Sequence, residues 1–177
     1  MYKNYLIEKY HHRSTNKFKL ITGKIHKEFR VIFHKNCIYD PALLPYTGIN
    51  KLIGFTRFHH IEQVPIFKKY INSWKFGWVS DNKGIRLAFY IDKWGFESRT
   101  YSRVHIQPDS PIILRFIEVN AYERSIELQI VSETGYILDR YREVIPNIPR
   151  IGYWIFPYFG GRSKAPHNMN ILIEEIK

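Results

Sequence analysis

Apolar residues recur at every second position along most of this chain of 177 residues. In segment 29–33, Phe29, Val31 and Phe33 would share one face of a strand, and segment 85–92 repeats the pattern. Neighbouring residues of a β-strand point to opposite faces, so an apolar stripe of period two buries one face of a sheet. The pattern therefore predicts β-sheets that pack on one apolar side.

Turn signals separate these runs at short intervals. The segment SDNKG (80–84) joins two alternating runs and places Gly84 where a hairpin turn favours a positive φ. The segments QPDSP (107–111) and SETG (132–135) have the same character. Many short strands with regular turns predict an all-β fold. We expect a two-sheet antiparallel sandwich, of the jelly-roll or concanavalin-like lectin type, that forms a single domain over residues 1–177.

The chain carries 27 lysines and arginines against 16 aspartates and glutamates, which gives a formal net charge of +11. Such a surplus favours polyanionic partners, namely nucleic acid, nucleotides, acidic glycans or an acidic protein surface. A solvated surface without a specific partner is an equally open alternative, because the basic residues are spread along the chain. An anionic ligand or a glycan is thus an expected partner, and the oligomeric state stays open.

The sequence also bears on the compartment. Cys37 is the only cysteine, so no disulfide can form within the chain. The first residues contain no apolar core of signal-peptide length, and no window approaches the roughly 20 apolar residues that span a bilayer. We therefore expect a protein made in the cytoplasm without a signal peptide and with no membrane partner.

Two pairs of adjacent histidines invite the question of a metal site. His59 and His60 follow one another, as do His11 and His12. Neighbouring residues in a strand point apart, and zinc sites usually pair histidines at other spacings. We therefore predict no metal and no cofactor, and keep His59 and His60 as candidate ligand contacts.

The constellation most like an active site is the segment YSRVHIQ (101–107). Tyr101, Arg103 and His105 alternate and would share one strand face, where a base and a cation could act on an acidic polysaccharide. An ordinary polar face of the sandwich is the alternative. Paired inward carboxylates, GxSxG, a P-loop and GxGxxG are all absent from the sequence.

Two further stretches suggest ligand contacts. The strand WKFGW (74–78) offers flat rings for sugars or bases, although strict alternation favours rings that fill the core. The loop that contains Gly160-Gly161 exposes backbone N–H groups beside Arg162 and Lys164, and His167 marks the entry to the last strand. Glycines next to cations form anion-binding nests, and a solvated structural corner is the alternative.

Five segments together resemble a family of uncharacterised β-sandwich proteins found in tailed phages and related bacterial genomes. The family pattern reads approximately N-K-L-x-G-F-S, H-H, N-S-A-R-F-G-W and P-Y-F-G-G-x-x-x-A-P-H-x-I-x-I. The resemblance covers residues 49–174, and its closing motif is fairly specific. This chain has Thr56 for the serine, Trp74-Lys75 for Ala-Arg, and a longer insertion after the histidine pair. The matching segments are NKLIGF (50–55), HH (59–60), NSWKFGW (72–78), AFYI (88–91) and YFGGRSKAPHNMNILI (158–173).

The resemblance implies a viral or virus-associated sandwich, with virion proteins as partners. It leads us to expect a non-enzymatic phage module that is either structural in the virion or glycan-binding. An intracellular viral effector that binds a nucleotide or nucleic acid, and a small enzyme that acts on acidic polysaccharide, are the alternatives. Lys75 keeps the positive charge at the family's arginine position and joins the candidate ligand contacts.

Overall fold

A computed structural model describes most of the chain. Of Ile71 and Asn120 it describes the backbone only. The described residues are 1–14, 19–44, 48–58, 71–81, 83–93, 96–120, 124–145 and 148–176.

Within these ranges the chain forms twelve β-strands and two single turns of 3-10 helix, at Lys35–Cys37 and Pro41–Leu43. The strands are β1 (Lys3–Ile7), β2 (Leu20–Thr22), β3 (His26–Phe33), β4 (Asn50–Phe58), β5 (Ile71–Asp81), β6 (Gly84–Lys93), β7 (Phe96–Ile106), β8 (Pro111–Asn120), β9 (Arg124–Val131), β10 (Ile137–Val144), β11 (Ile151–Ile155) and β12 (Met169–Glu175).

The strands form two six-stranded antiparallel sheets. Sheet A has the order β1-β12-β3-β8-β9-β10, and sheet B has the order β2-β11-β4-β5-β6-β7. Their apolar faces pack against each other, so the predicted all-β sandwich of two antiparallel sheets is confirmed. Strands β4 to β7 form one meander and strands β8 to β10 another, which brings residues close in sequence onto neighbouring strands.

The core lies between the sheets and is rich in aromatic rings. Trp74, Phe76 and Trp78 of β5 all point inward and are fully buried, so the aromatic run fills the core rather than forming a platform. The Phe55 and Phe116 rings, from opposite sheets, meet edge to face with centroids 5.8 Å apart. Burying each such side chain stabilises the fold by about 2–3 kcal/mol.

The predicted turns form where the sequence placed them. Gly84, the first residue of β6, has a φ of +123°, and Gly135, between β9 and β10, has a φ of +91°. In the segment that crosses from β7 to β8, Asp109 takes a φ of +62°. These positive φ values explain why glycine or aspartate follows each alternating run.

Strand β10 of sheet A contacts β6 and β7 of sheet B, and these contacts close one side of the sandwich. Ser102 donates a hydrogen bond of 2.6 Å to Asp139. The Tyr141 ring stacks on Phe89 with centroids 5.6 Å apart. The outer face of sheet B, which points away from this core, carries four of the nine sequence-predicted site residues, namely Lys75, Tyr101, Arg103 and His105.

Candidate functional site

The Gly160-Gly161 loop is a corner that docks on the start of β4. The backbone N–H of Gly160 donates a hydrogen bond of 2.7 Å to the Asn50 side-chain oxygen. A Cβ at Gly160 would lie 2.2 Å from the carbonyl oxygen of Ile49, and Gly161 has a φ of +74°. The N–H group of Gly160 thus serves the fold, and the anion-binding nest predicted for this pair is not assembled around it.

The cations of this loop point to solvent. Arg162 and Lys164 are exposed, and neither has an ion-pair partner within the described ranges. His167 instead donates from Nε2 to the backbone oxygen of Asn36 at 2.8 Å and holds the loop against the 3-10 turn that contains Asn36. His167 is thus engaged within the fold, whereas the role of Arg162 and Lys164 as ligand contacts stays a prediction.

The same loop positions Tyr158 against β4. The N–H and carbonyl groups of Lys51 and Tyr158 exchange two hydrogen bonds of 2.9 Å. The Lys51 ammonium lies 5.3 Å from the centroid of the Tyr158 ring. Two segments of the family-like pattern, 50–55 and 158–173, thus meet at Lys51.

Three cations surround a single tyrosine ring on the outer face of sheet B. From the centroid of the Tyr90 ring, Lys75 Nζ lies 4.3 Å away, Lys51 Nζ 5.2 Å and Arg99 Cζ 5.4 Å. Lys75, Tyr90 and Arg99 are directly paired across β5, β6 and β7. We name this group the Tyr90 cluster; its members are Lys51, Lys75, Tyr90, Asp92, Glu97, Arg99 and Tyr158.

Lys75 is the buried cation of the cluster. Its side chain is only 6% exposed, and its stem lies over Gly54, where a Cβ would come within 2.5 Å of Lys75 Cγ. Lys75 Nζ bonds to Asp92, whose Oδ2 also accepts a hydrogen bond of 2.8 Å from Ser73. Burial lowers the pKa of Lys75, and the Asp92 carboxylate opposes that shift. Asp92 thus joins the Lys75 ammonium and the Ser73 hydroxyl through one carboxylate oxygen, Oδ2.

Arg99 and Glu97 form the exposed pole of the cluster. The two side chains are paired and about half exposed. A hydrogen bond from the Tyr90 hydroxyl is the main reason that the pKa of Glu97 is lowered, and Arg99 adds to it. Burial raises the pKa of Tyr90, so this hydroxyl stays protonated and available as a donor.

Lys51 is the cation that the cluster leaves without a carboxylate. Asp92 pairs with Lys75 and Glu97 pairs with Arg99, whereas no carboxylate within the described ranges lies within 4 Å of Lys51 Nζ. The Lys51 side chain is half-buried, and this burial lowers its pKa. The Lys51 ammonium lies near the Tyr90 and Tyr158 rings, and its N–H groups can still donate to a carboxylate.

Tyr101, Arg103 and His105 lie on β7, where the pairing with β6 shifts register, and their role in an active site stays a prediction. Ala88 pairs with Tyr101 and Arg86 with His105, so β7 has two more residues between these pairs than β6. His105 Nε2 contacts Asp81 at 2.9 Å, and the Tyr101 ring lies 4.9 Å from the Arg86 guanidinium. The backbone N–H of Arg103 donates to Asp139. Each of the three residues therefore contacts a different group.

The remaining predictions on histidine and cysteine divide in two. His59 and His60 lie outside the described residues, so their role stays a prediction. Cys37 is buried, donates to the carbonyl oxygen of Asn170 at 3.1 Å, and has a pKa raised by burial to about 12.

Among the described residues, no three His, Cys, Asp or Glu side chains converge as a metal site would require. In the same part of the chain, no helix combines the length and the apolar character needed to span a bilayer.

Sequence reasoning identified Lys75 but missed Lys51, Tyr90 and Tyr158. The alternation of β6 already places Tyr90 opposite to Phe89 and Ile91, which signals an outward ring. Nothing in the local sequence indicates that Lys51 reaches this ring. The pairing of the strands places Gly77 of β5 and Ala88 of β6 beside Lys51, and this register is not visible in the sequence.

No family model matches the chain, and no curated protein is significantly similar to it. Solved structures do show similarity. Scytalido-glutamic peptidase with a peptide-based transition state analog is 9% identical, with a TM-score of 0.33, and this chain covers 66% of it. The same peptidase with a transition state analog inhibitor is 10% identical at a TM-score of 0.32, with 63% covered. SCP-B, an eqolisin-family peptidase in complex with the tripeptide Ala-Ile-His, is 9% identical, with a TM-score of 0.29, and this chain covers 65% of it. The matches span 98%, 89% and 98% of this chain, in that order.

These neighbours correct the predicted function. The expected phage module, structural or glycan-binding, is wrong because the similar solved structures are β-sandwich peptidases. The alternatives of a nucleotide or nucleic-acid effector and a polysaccharide enzyme fall with it. The chain spans less than two thirds of each neighbour's length, and a likeness this distant gives it no catalytic role.

Proposed function

We propose that this protein binds acidic segments of other polypeptides on the outer face of sheet B, at the Tyr90 cluster. The observation that carries the proposal is the charge count around one ring, where three cations share two carboxylates. Among the residues that the structure describes, Lys51 is the cation of the cluster that lacks a carboxylate partner. A carboxylate from a ligand would complete its pairing and form a charge-assisted hydrogen bond.

An extended acidic peptide suits the layout of the cluster. Alternate residues of an extended chain lie about 7 Å apart on the same side. Lys51 and Arg99 each lie just over 5 Å from the Tyr90 centroid and belong to strands on opposite sides of β6. Two glutamates at alternate positions can therefore contact Lys51 and Arg99, which lie around the buried Tyr90 ring.

The surroundings favour encounter with an acidic chain. Arg99, Tyr101 and Arg103 are exposed along β7 next to the cluster. The chain as a whole carries a net charge of +11, which attracts acidic partners and raises their association rate. Exposed tyrosine and arginine are also the residues that most often dominate protein interfaces.

Fluorescence anisotropy with a labelled peptide of alternating glutamate and serine tests the proposal. The matched peptide carries glutamine in place of glutamate. We expect the glutamate peptide alone to bind, and its affinity to fall with added salt. Lys51→Gln keeps the stem and removes the charge, and we expect affinity to fall by roughly 10-fold because a charged hydrogen bond is lost.

Lys164→Gln is the control, since it removes one charge from an exposed site in the basic loop. We expect it to leave the affinity within about 2-fold, as a surface charge away from the contact contributes little. Equal binding of the glutamate and glutamine peptides would show that the proposal is wrong. Equal losses in the two lysine variants would show that only the net charge matters.

A further inference from the structure

A buried carboxylate with several arginines lies at one end of the sandwich, away from the Tyr90 cluster. Glu118 of β8 points inward and its side chain is 1% exposed. Arg57 of β4, also 1% exposed, faces it from the other sheet. Arg124 and Arg150 contact the same carboxylate, and we name the four residues the Glu118 cluster.

The carboxylate is fully engaged. Glu118 Oε1 accepts hydrogen bonds from Arg124 Nε at 2.9 Å and from Arg150 Nε at 2.8 Å. Glu118 Oε2 accepts longer contacts from Arg57 Nη2 at 3.5 Å and from the backbone N–H of Ile25 at 3.4 Å. Glu118 therefore has no remaining capacity to satisfy further donors of these guanidiniums.

Two buried donors are left over. Arg57 Nη1 and Arg124 Nη2 are both inaccessible to solvent, and neither has a hydrogen-bond acceptor within the part of the chain that the structure describes. The other nitrogens of these side chains are used, since Arg57 Nη2 also donates to Gly23 O at 2.7 Å and Arg124 Nη1 donates to Ile148 O at 2.9 Å. Buried N–H groups on charged side chains are costly to leave unpaired.

Among the described side chains, the charge is unbalanced in the same place. Arg57 and Arg124 alone bring two positive charges to the single negative charge of Glu118. Burial lowers the pKa of Arg57 to about 10, which reflects the cost of holding the charge there. Buried charge in a protein interior requires a partner of opposite sign.

From the leftover donors and the charge imbalance, we infer that the Glu118 cluster binds a small inorganic anion against the guanidiniums of Arg57 and Arg124. A monatomic halide fits the chemistry, because it accepts N–H donors from any direction and needs no cavity for a larger group. The site lies inside the sandwich and is independent of the outer face of sheet B. The bound anion would stabilise the folded state only, since the arginines come together only when the sheets pack.

Chloride is the probe for the test. Thermal unfolding is followed at constant ionic strength while chloride replaces gluconate, which is too large for a buried site. We expect chloride to raise Tm by roughly 3 °C at ten times its Kd. The line width of the ³⁵Cl NMR signal should broaden in the presence of the protein, which gives a readout that does not depend on stability.

Two variants separate site binding from a general salt effect. Arg124→Gln removes one leftover donor from a side chain that is 19% exposed, and we expect it to abolish both the Tm response and the line broadening. Arg115→Gln removes the same charge from a side chain that is 23% exposed and paired with Glu28 at 3.0 Å. We expect Arg115→Gln to keep both responses.

The inference is overturned if chloride and gluconate give the same Tm and the NMR signal stays narrow in the wild type. It is also overturned if Arg115→Gln and Arg124→Gln lose the responses equally. If Arg124→Gln does not fold, the ³⁵Cl line width of the wild type decides alone, with bromide as a competitor that must narrow the signal.

Discussion

At the scale of single residues, the two glycines of the 158–173 segment are required for different reasons. Gly161 needs its left-handed φ of +74°, whereas Gly160 needs the absence of a side chain against the Ile49 carbonyl. The first requirement is a backbone preference, and the second is a steric limit set by a strand far away in sequence. Both serve to hold Tyr158 beside Lys51.

Alanine substitutions distinguish these requirements. We expect Gly161→Ala to lower the free energy of unfolding by about 1 kcal/mol, because alanine resists a positive φ. Gly160→Ala should cost roughly 2 kcal/mol or more, since the methyl group forces β4 and the loop apart. Urea unfolding gives both values from the midpoint, provided that the m-value is unchanged.

Gly23→Ala is the matched control, because Gly23 has a φ of +76° and nothing within 4 Å of its Cβ position. We expect Gly23→Ala and Gly161→Ala to have similar costs. If Gly160→Ala were as mild as Gly23→Ala, the close contact with Ile49 would not limit the loop.

At the scale of elements, β10 is the edge strand whose attachment is easiest to test. Its side chains are largely exposed, and it joins sheet B through the Tyr141 ring on Phe89 and a Lys93–Glu143 pair at 2.8 Å. Tyr141 also donates a hydrogen bond of 3.1 Å to Glu143. The ring and its hydroxyl thus contribute separately to closing this side of the sandwich.

We expect Tyr141→Leu to cost about 1 kcal/mol more than Tyr141→Phe, because leucine loses the ring stack and phenylalanine loses only the hydroxyl bond. Hydrogen exchange should become faster in the amides of β10 in Tyr141→Leu, while the amides of β3 and β8 at the centre of sheet A stay protected. Uniform acceleration across sheet A would contradict a local role for this ring.

The sequence determines the strands far better than their pairing. Alternation alone identifies Phe29, Val31 and Phe33 as core residues, because burial of one sheet face is a local property. The Tyr90 cluster was not predictable, since its cations come from β4, β5 and β7 and meet only through long-range register. The burial of Glu118 is harder still to predict, because a charge on an inward face is tolerated only when arginines from other elements pair with it.

At the scale of the whole molecule, several carboxylates couple folding to pH. Their pKa values in the folded state are all lowered from the ordinary values. In Glu118, burial would raise the pKa, but the hydrogen bonds from Arg150 and Arg124 outweigh it. The carboxylates with lowered values are Asp81, Glu97, Glu118, Glu174 and Glu175.

We therefore expect stability to be fully present above the unfolded-state pKa values, near 4, and to fall as pH drops through the lowered folded-state values. The sign follows because the unfolded chain binds more protons in this window than the folded one. Urea unfolding at pH 7, 5 and 3 (roughly spanning this window) tests it. A urea midpoint that stays constant down to pH 3 would show that the ion pairs of these carboxylates do not stabilise the folded state.

The bond between Asn50 and Gly160 has a consequence for the order of folding. It joins positions 110 residues apart, and the Lys51–Tyr158 bridge beside it spans nearly as much of the chain. Contacts between such distant positions form slowly, because a long loop must close before they are gained. Lys51 and Lys75 precede Tyr158 by 107 and 83 residues, so a chain emerging from the ribosome would offer an acidic partner the complete Tyr90 cluster only after Tyr158 has been synthesised.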